Sequence, residues 1–265
     1  MSWKPDQIPV VYPIAALKIK AIGRTQPLEM RCDTGHSAQD YVVKLWNNVE
    51  LKTNGLAREI YGCLLANFFG LNTPKIALVD IPSDFAISQP DGQIRKHLQN
   101  SPGLNFGSQY IQGAVVFVPP LHHLQRSVAT RIFCFDMLIG NVDRCKPRIN
   151  IFKAADNFIL YDHEQAFPFS QPQLFIGGHP PAWKFIHEPW SKQHVFYPGV
   201  KGEEVSLEIE EFIGDLAMLN DDLMATIEEQ IPLEWQSDIN NLSGYLADAR
   251  DNANLFKRSL QELLA

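Results

Sequence analysis

The chain has 265 residues, 45% of them hydrophobic and 20% charged, which is enough to bury a sizeable core and too apolar for a disordered chain. A formal charge of -7 argues against a nucleic-acid binder that relies on a basic surface, but leaves room for a nucleotide, which needs only a local basic cleft. No apolar run approaches the roughly 18 residues of a membrane span, and the opening MSWKPDQIP lacks the basic-then-apolar pattern of an export signal.

In chain order, residues 15–22 alternate (Leu17, Ile19 and Ala21 against Lys18 and Lys20) and predict a first strand; 27–32 and 41–46 predict two more. Between the last two lies a polar hairpin loop, residues 33–40, with one glycine. From 56 to 69, Leu56, Ile60, Cys63, Leu64 and Phe68 recur at helical spacing, and Gly70 is a ready C-terminal cap. Residues 75–81 read as a strand stopped by Pro82, 90–103 as a polar excursion or loop, and 108–118 as strand-like runs broken by Gly113. Pro119-Pro120 then stops the chain sharply. The expected division is therefore 1–118, a β-rich half with one helix, and 119–265, a larger helical half, in an α+β fold. Helices are predicted at 127–139, 207–219, 221–229 and 237–264, with 168–198 as packed loop. The last helix carries an apolar stripe from Leu242 to Leu263, core or partner-facing, so monomer and homodimer are both open.

Four cysteines, Cys32, Cys63, Cys134 and Cys145, form no CxxC and no Cys/His metal spacing. Cys63 and Cys134 fall inside helical apolar patterns, the setting of a reduced, buried thiol, so a cytoplasmic location is expected. His122, His123, His179, His187 and His194 likewise share no ligand spacing with a cysteine or carboxylate; packing and surface loops account for them.

The chemistry concentrates in residues 135–169, FDMLIGNVDRCKPRINIFKAADNFILYDHEQAFPF. An apolar helical run ends at Gly140, a polar loop follows with Asp143, Arg144 and Asn150, and a short strand then delivers Asp162 and His163. An aspartate near a reacting hydroxyl, with an amide and a second aspartate on Mg²⁺, is what phosphoryl transfer from ATP requires. Asp143 fits the first role, orienting an acceptor hydroxyl and taking its proton; it equally fits a turn that caps and pairs. Asp162 ends an apolar strand, where a bare carboxylate is expensive, so a metal or cationic partner is expected; a helix N-cap is the plainer alternative. For the second metal ligand an arginine is unsuitable, which selects Asn150 over Arg148, with Asn141 behind it.

Lys44 lies on the strand 41–46 with Val42 on its face, where it could bind α- and β-phosphates; a solvent-facing lysine is the default. Glu59, on the flank of the next helix's apolar stripe, would fix that lysine as an ion pair. Gly35 in the hairpin, with Ser37 beside it, could let the backbone approach phosphate, although a single glycine is a weak signal and no GxxxxGK[ST] or GxGxxG occurs. The segment 106–111, with Gln109 and Tyr110, reads either as an edge that hydrogen-bonds adenine or as an ordinary core strand.

Taken together, these residues resemble the HipA-like kinase domain family. The likeness runs from Ile14 to Phe169 and is strongest at Tyr41–Lys44, Ala57–Leu71 with Pro74, Phe106–Tyr110, and the block FDxLIGNxDRxxxxxN followed by a strand and YDH. The resemblance implies a bilobal protein-kinase-like fold, ATP with Mg²⁺, and transfer to a serine or threonine hydroxyl of an acceptor, a protein foremost. It implies Lys44 as the phosphate-binding lysine, Glu59 as its partner, Asp143 as the catalytic aspartate and Asp162 as the metal-binding one. Two positions depart from the family pattern: Arg148 stands where asparagine is usual, and Glu164 replaces a small residue, often glycine. They motivate the alternative of a non-catalytic nucleotide-binding module; transfer of another group, such as AMP, is the third possibility.

Overall fold

The computed structural model describes residues 3–20, 25–47, 52–121, 125–154, 157–168, 179–202, 204–236, 239 and 241–265, the side chains of 52–54 excepted. Ala21 and Ile22 of the first predicted strand, His122, His123 and Ser237 lie outside them.

Five strands of alternating burial close into a barrel: β1 (Val10–Ile19), β2 (Leu28–Asp33), β3 (Ala38–Lys44), β4 (Ile76–Ile81) and β5 (Gly103–Gln109), in the order β1-β2-β3-β5-β4. Neighbours run antiparallel, except that β1 meets β4 in parallel at Val10↔Leu78 and Val11↔Val79. Closure removes the exposed edges an open sheet would present. Directly opposed residues share a face, so Leu28↔Val43 points inward while Glu29↔Val42 and Lys44↔Phe106 point outward. The interior is filled by Val11, Leu28, Met30, Tyr41, Val43 and Val79. Gly107 lies on that inner side, where a Cβ would come within 2.7 Å of Val79 Cγ2.

The connection from β4 to β5 is more ordered than a polar loop. It forms α2 (Phe85–Ser88) and α3 (Gly92–Leu98), and Asp91 caps α3 by accepting from the Gln93 and Ile94 N–H groups at 2.7 and 3.1 Å. Phe85, Ala86, Ile94 and Leu98 seal the barrel interior. The strand-like runs expected over 108–118 are two strands parted at Gly113 (φ 76°), but with other bounds: β5 starts earlier and ends at Gln109, and β6 is only Val115–Val116.

On the barrel's outer face lies α1 (Lys52–Phe68), ended by Gly70 at φ 69°. Its apolar residues join Leu78, Phe106 and the helical half in one large core. That half contains α4 (Arg126–Ile139), whose last two turns are buried all round, and a three-stranded sheet of β6, β7 (Ile151–Ala154) and β8 (Asn157–Leu160). A 3-10 helix (Ala182–His187) then leads to α5 (Pro189–Gln193), α6 (Tyr197–Val200), α7 (Ser206–Met218), α8 (Asp221–Glu228), α9 (Leu233–Gln236), α10 (Leu242–Asp251) and α11 (Ala253–Leu264). The helix expected over 237–264 is therefore two. Asn252 leaves helical geometry at φ -110°, ψ 28°, and its side chain turns back onto Asp248, a local alternative to the helical backbone that asparagine offers. The segment 168–198 is not wholly loop, since the 3-10 helix and α5 lie within it. No helix among the described residues is long and apolar enough to cross a membrane.

Candidate active site

Lys44 is the last residue of β3, and strand alternation turns it out of the barrel toward α1. Its ammonium is buried and touches three carboxylates: it donates to Glu59 Oε1, to Asp162 Oδ1 at 2.5 Å and to Glu164 Oε2 at 2.8 Å. Glu59 projects from α1. Asp162 and Glu164 come from the turn after β8, where Asp162 adopts φ 64°, a conformation aspartate tolerates better than most residues.

Two consecutive residues of α1 clamp that turn by its main chain. The second oxygen of Glu59 accepts the His163 N–H at 2.9 Å, and Arg58 Nε donates to the Glu164 carbonyl at 2.7 Å. Helix and turn can approach this closely because of Gly62: a Cβ there would lie 2.6 Å from His163 Cβ and 2.8 Å from its Cγ.

A second buried cluster anchors the loop after α4. Asp136, inside that helix, accepts from Arg144 Nε at 2.5 Å and Asn141 Nδ2 at 3.0 Å, with His194 Nε2 at 2.9 Å. Arg144, itself fully buried, also donates to the Asn150 carbonyl at 2.6 Å and lies 3.4 Å from His163 Nε2. One guanidinium thus ties the loop bearing Asp143 to the turn bearing Asp162. Burial and Arg144 hold the His163 pKa down to about 3, so the ring is neutral. With Nε2 receiving the arginine proton, the hydrogen is on Nδ1, facing Cys63 Sγ at 3.7 Å.

Asp143 sits half-buried at the mouth of this arrangement. Burial and the neighbouring Asp162 charge raise its pKa, against the pull of Arg148 (3.3 Å) and the Asn150 side chain. Asn150 is buried at φ 53°, next to Asp143. Around Lys44 the electrostatics are sharper. Burial opposes its charge, yet Asp162, Glu59 and Glu164 hold its pKa well above the ordinary value. Burial, with Asp162 and Glu164 beside it, pushes Glu59 up to about 7 despite Lys44. Asp162 is held low because the lysine outweighs its burial.

The structure brings Lys44, Glu59 and Asp162 into direct contact and sets Asp143 and Asn150 beside them. It does not bring Gly35 or Ser37 there. The register Asp33↔Ala38 and Leu28↔Val43 puts their hairpin at the opposite end of β3 from Lys44, about 20 Å away at ~3.3 Å per residue. That loop is closed on itself, with Gly35 N–H on Asp33 Oδ1 and Ser37 N–H on Thr34 Oγ1. The lysine end of β3 lies instead beside Ile19 of β1 and Leu28 of β2. Gln109 ends β5, which also carries Phe106, the partner of Lys44, and Tyr110 follows it, but their N–H groups already serve the Lys75 and Asp40 carbonyls.

Asp136, Arg144, His163 and Glu164 carry much of the geometry; sequence reasoning singled out Glu164 as a departure beside Asp162 but gave the other three no such part. Asp136 and Arg144 share the quoted FDxLIGNxDR block; a charged residue inside the apolar run 132–139 is the available signal. The donor set fits a hard cation: oxygens of Glu59, Asp162 and Glu164 all lie within 4.8 Å of one another, and carboxylate oxygens are what Mg²⁺ prefers.

Among solved structures, the Helicobacter pylori proinflammatory kinase CtkA is similar in fold, with a TM-score of 0.54 at 11% sequence identity over 92% of this chain and 94% of that one. No curated protein matches the sequence. The model of the HipA-like kinase family matches residues 16–262, nearly the whole chain and both clusters described above, so the chain belongs to the HipA-like kinase family.

Proposed function

We propose that the protein is an ATP- and Mg²⁺-dependent phosphotransferase that moves the γ-phosphoryl group to a serine or threonine hydroxyl of a protein acceptor. One observation carries this reading: a buried lysine from the barrel is paired with a helix glutamate and with the aspartate of a turn more than a hundred residues later. Positioning and electrostatics are most of what phosphoryl transfer asks of a protein. In this reading the fold is bilobal, with the barrel and α1 as one lobe and the helical half as the other. The 118/119 division then shifts slightly earlier, because β6 already pairs with β7.

Each residue has one task. Lys44 binds phosphate oxygens, and Glu59 fixes its position. Asp143 orients the acceptor hydroxyl and takes its proton as the new P–O bond forms. Asp162 and Asn150 would hold Mg²⁺, which when bound supplies charge neutralisation on the phosphates. Gln109 and Tyr110 remain the candidates for the adenine edge through side chains and carbonyls. Four free thiols, three of them buried, fit a cytoplasmic location.

The test is transfer from γ-labelled ATP with Mg²⁺ to the protein itself and to a general protein acceptor. Wild type should label or hydrolyse. Asp143→Asn should lose about 10²–10⁴-fold in rate with nucleotide binding retained, and Lys44→Met should lose both. Arg148 on Asp143 and Glu164 on Lys44 favour one other reading, a non-catalytic nucleotide-binding module. Wild type that binds ATP yet neither transfers nor hydrolyses would establish it and sink the kinase reading. Label transferred from α-labelled but not from γ-labelled ATP would instead mean AMP transfer.

A further inference from the structure

An ammonium has three N–H donors, and all three of Lys44 are spent, one each on Glu59, Asp162 and Glu164. Glu59 and Asp162 have parts in the proposed reaction; Glu164 is the surplus. It is no surface glutamate swung onto a nearby lysine. Its carbonyl is held by Arg58, its side chain is only 14% exposed, and its neighbours Asp162 and His163 are fixed by Lys44 and Glu59. A polyphosphate approaching this lysine meets no unspent donor and an excess of negative charge. Of the three acceptors, Glu164 is the one free to leave: Glu59 is pinned by the His163 N–H, and Asp162 is the shorter side chain on a constrained turn.

We propose that Glu164 is a clasp on Lys44 that makes nucleotide binding conditional on a divalent cation. Without the cation, Glu164 occupies the third lysine donor and repels the phosphates. With it, Glu164 exchanges the ammonium for the cation and leaves a lysine N–H for a phosphate oxygen. The inference rests on Lys44 being the phosphate-binding lysine, and it makes Glu164 a positioning residue rather than a catalytic one.

Equilibrium binding of ATP, in EDTA and in excess Mg²⁺, tests it without any need for turnover. Wild type should bind at least about tenfold more weakly in EDTA. Glu164→Gln keeps the shape and removes the charge; Glu164→Gly removes the clasp. Both should tighten metal-free binding by about tenfold or more, the scale of one charge-assisted hydrogen bond released, so that the difference between EDTA and Mg²⁺ narrows. A gain in affinity cannot come from misfolding. Metal-free affinity that is unchanged or weaker in both variants, with wild type binding normally in Mg²⁺, overturns the clasp and leaves the function standing. Folded wild type that fails to bind ATP even in Mg²⁺ overturns the parent reading and the clasp with it.

Discussion

Two buried charge clusters stand within a few residues of each other in this molecule, and they are built on opposite ratios. Around Asp136 a single carboxylate is shared by Arg144, His194 and Asn141. Around Lys44 a single cation is shared by three carboxylates. Burial would raise the Asp136 pKa, but Arg144 and His194 hold it below the ordinary range; Glu59, in the other cluster, is pushed up to about 7. The first cluster is balanced, sealed from solvent, and has nothing left to bind. The second is in surplus and partly open, with Asp162 26% exposed on its side chain. One holds the loop in place; the other, in the function proposed above, is where a ligand that brings positive charge would be received.

The sharpest way to break that contrast is Asp136→Ala. Removing one partner of a fully buried pair leaves Arg144 charged and uncompensated, which costs about 3–5 kcal/mol, a large part of the stability of an ordinary domain. Urea unfolding should show it, and transfer activity should fall with it as the loops bearing Asp143 and Asp162 come loose. Acid gives a second view. A carboxylate whose folded pKa lies below its unfolded value of 3.8 contributes stability above that pH, lost as pH falls through the folded pKa. Asp136→Asn should therefore be less stable at neutral pH and lose less on further acidification. An Asp136→Ala protein as stable as wild type would show that the network is not an anchor.

Next in size is Gly62→Ala, which attacks the close approach on which the lysine cluster depends. Alanine is worth about 1 kcal/mol in a helix relative to glycine. The new methyl, however, meets His163 Cβ at 2.6 Å, too near its backbone to be relieved by a rotamer change. Overpacking of this kind costs about 1–3 kcal/mol, and α1 must draw back from the turn. The expected result is a net loss of stability, with a larger proportional loss in kcat/KM, because Glu59 retreats from both Lys44 and the His163 N–H. A stabilised Gly62→Ala would mean that helix and turn have room to part.

The same contrast explains how much could be read from the residues alone. Helix 56–69, its glycine cap and the strand before Asp162 follow from local periodicity, and the structure forms them with shifts of a few residues at the ends. Lys44, Glu59, Asp143 and Asp162 are legible as chemical types in a suggestive order. What local pattern cannot carry is who meets whom. Gly35 draws the eye because glycine marks a turn, yet only the strand register shows that this turn is at the wrong end of β3. The helix over Gly92–Leu98 is short, and its apolar residues Ile94 and Leu98 make sense only against a barrel interior that sequence does not display. Asp136 reads as one polar residue in the apolar run 132–139 until Arg144 and His194 arrive from outside the helix.

The smallest perturbation separates catalysis from scaffolding most cleanly. Arg148 is half-exposed and meets Asp143 at 3.3 Å, and exposed ion pairs contribute about 0–1 kcal/mol. Arg148→Ala should therefore leave the urea midpoint nearly where it was. Its effect is on a proton. Burial and Asp162 already raise the Asp143 carboxyl, and Arg148 is a leading restraint on it. Without that guanidinium the carboxyl rises further and is protonated at a higher pH. A base that must be ionised then fails sooner on acidification, so the acid limb of the kcat/KM profile moves to higher pH while the plateau above it changes little. If the limb stays put although Arg148 is gone, the titrating group is not Asp143. If stability falls by several kcal/mol instead, Arg148 belongs with the balanced cluster rather than at the rim of the reactive one.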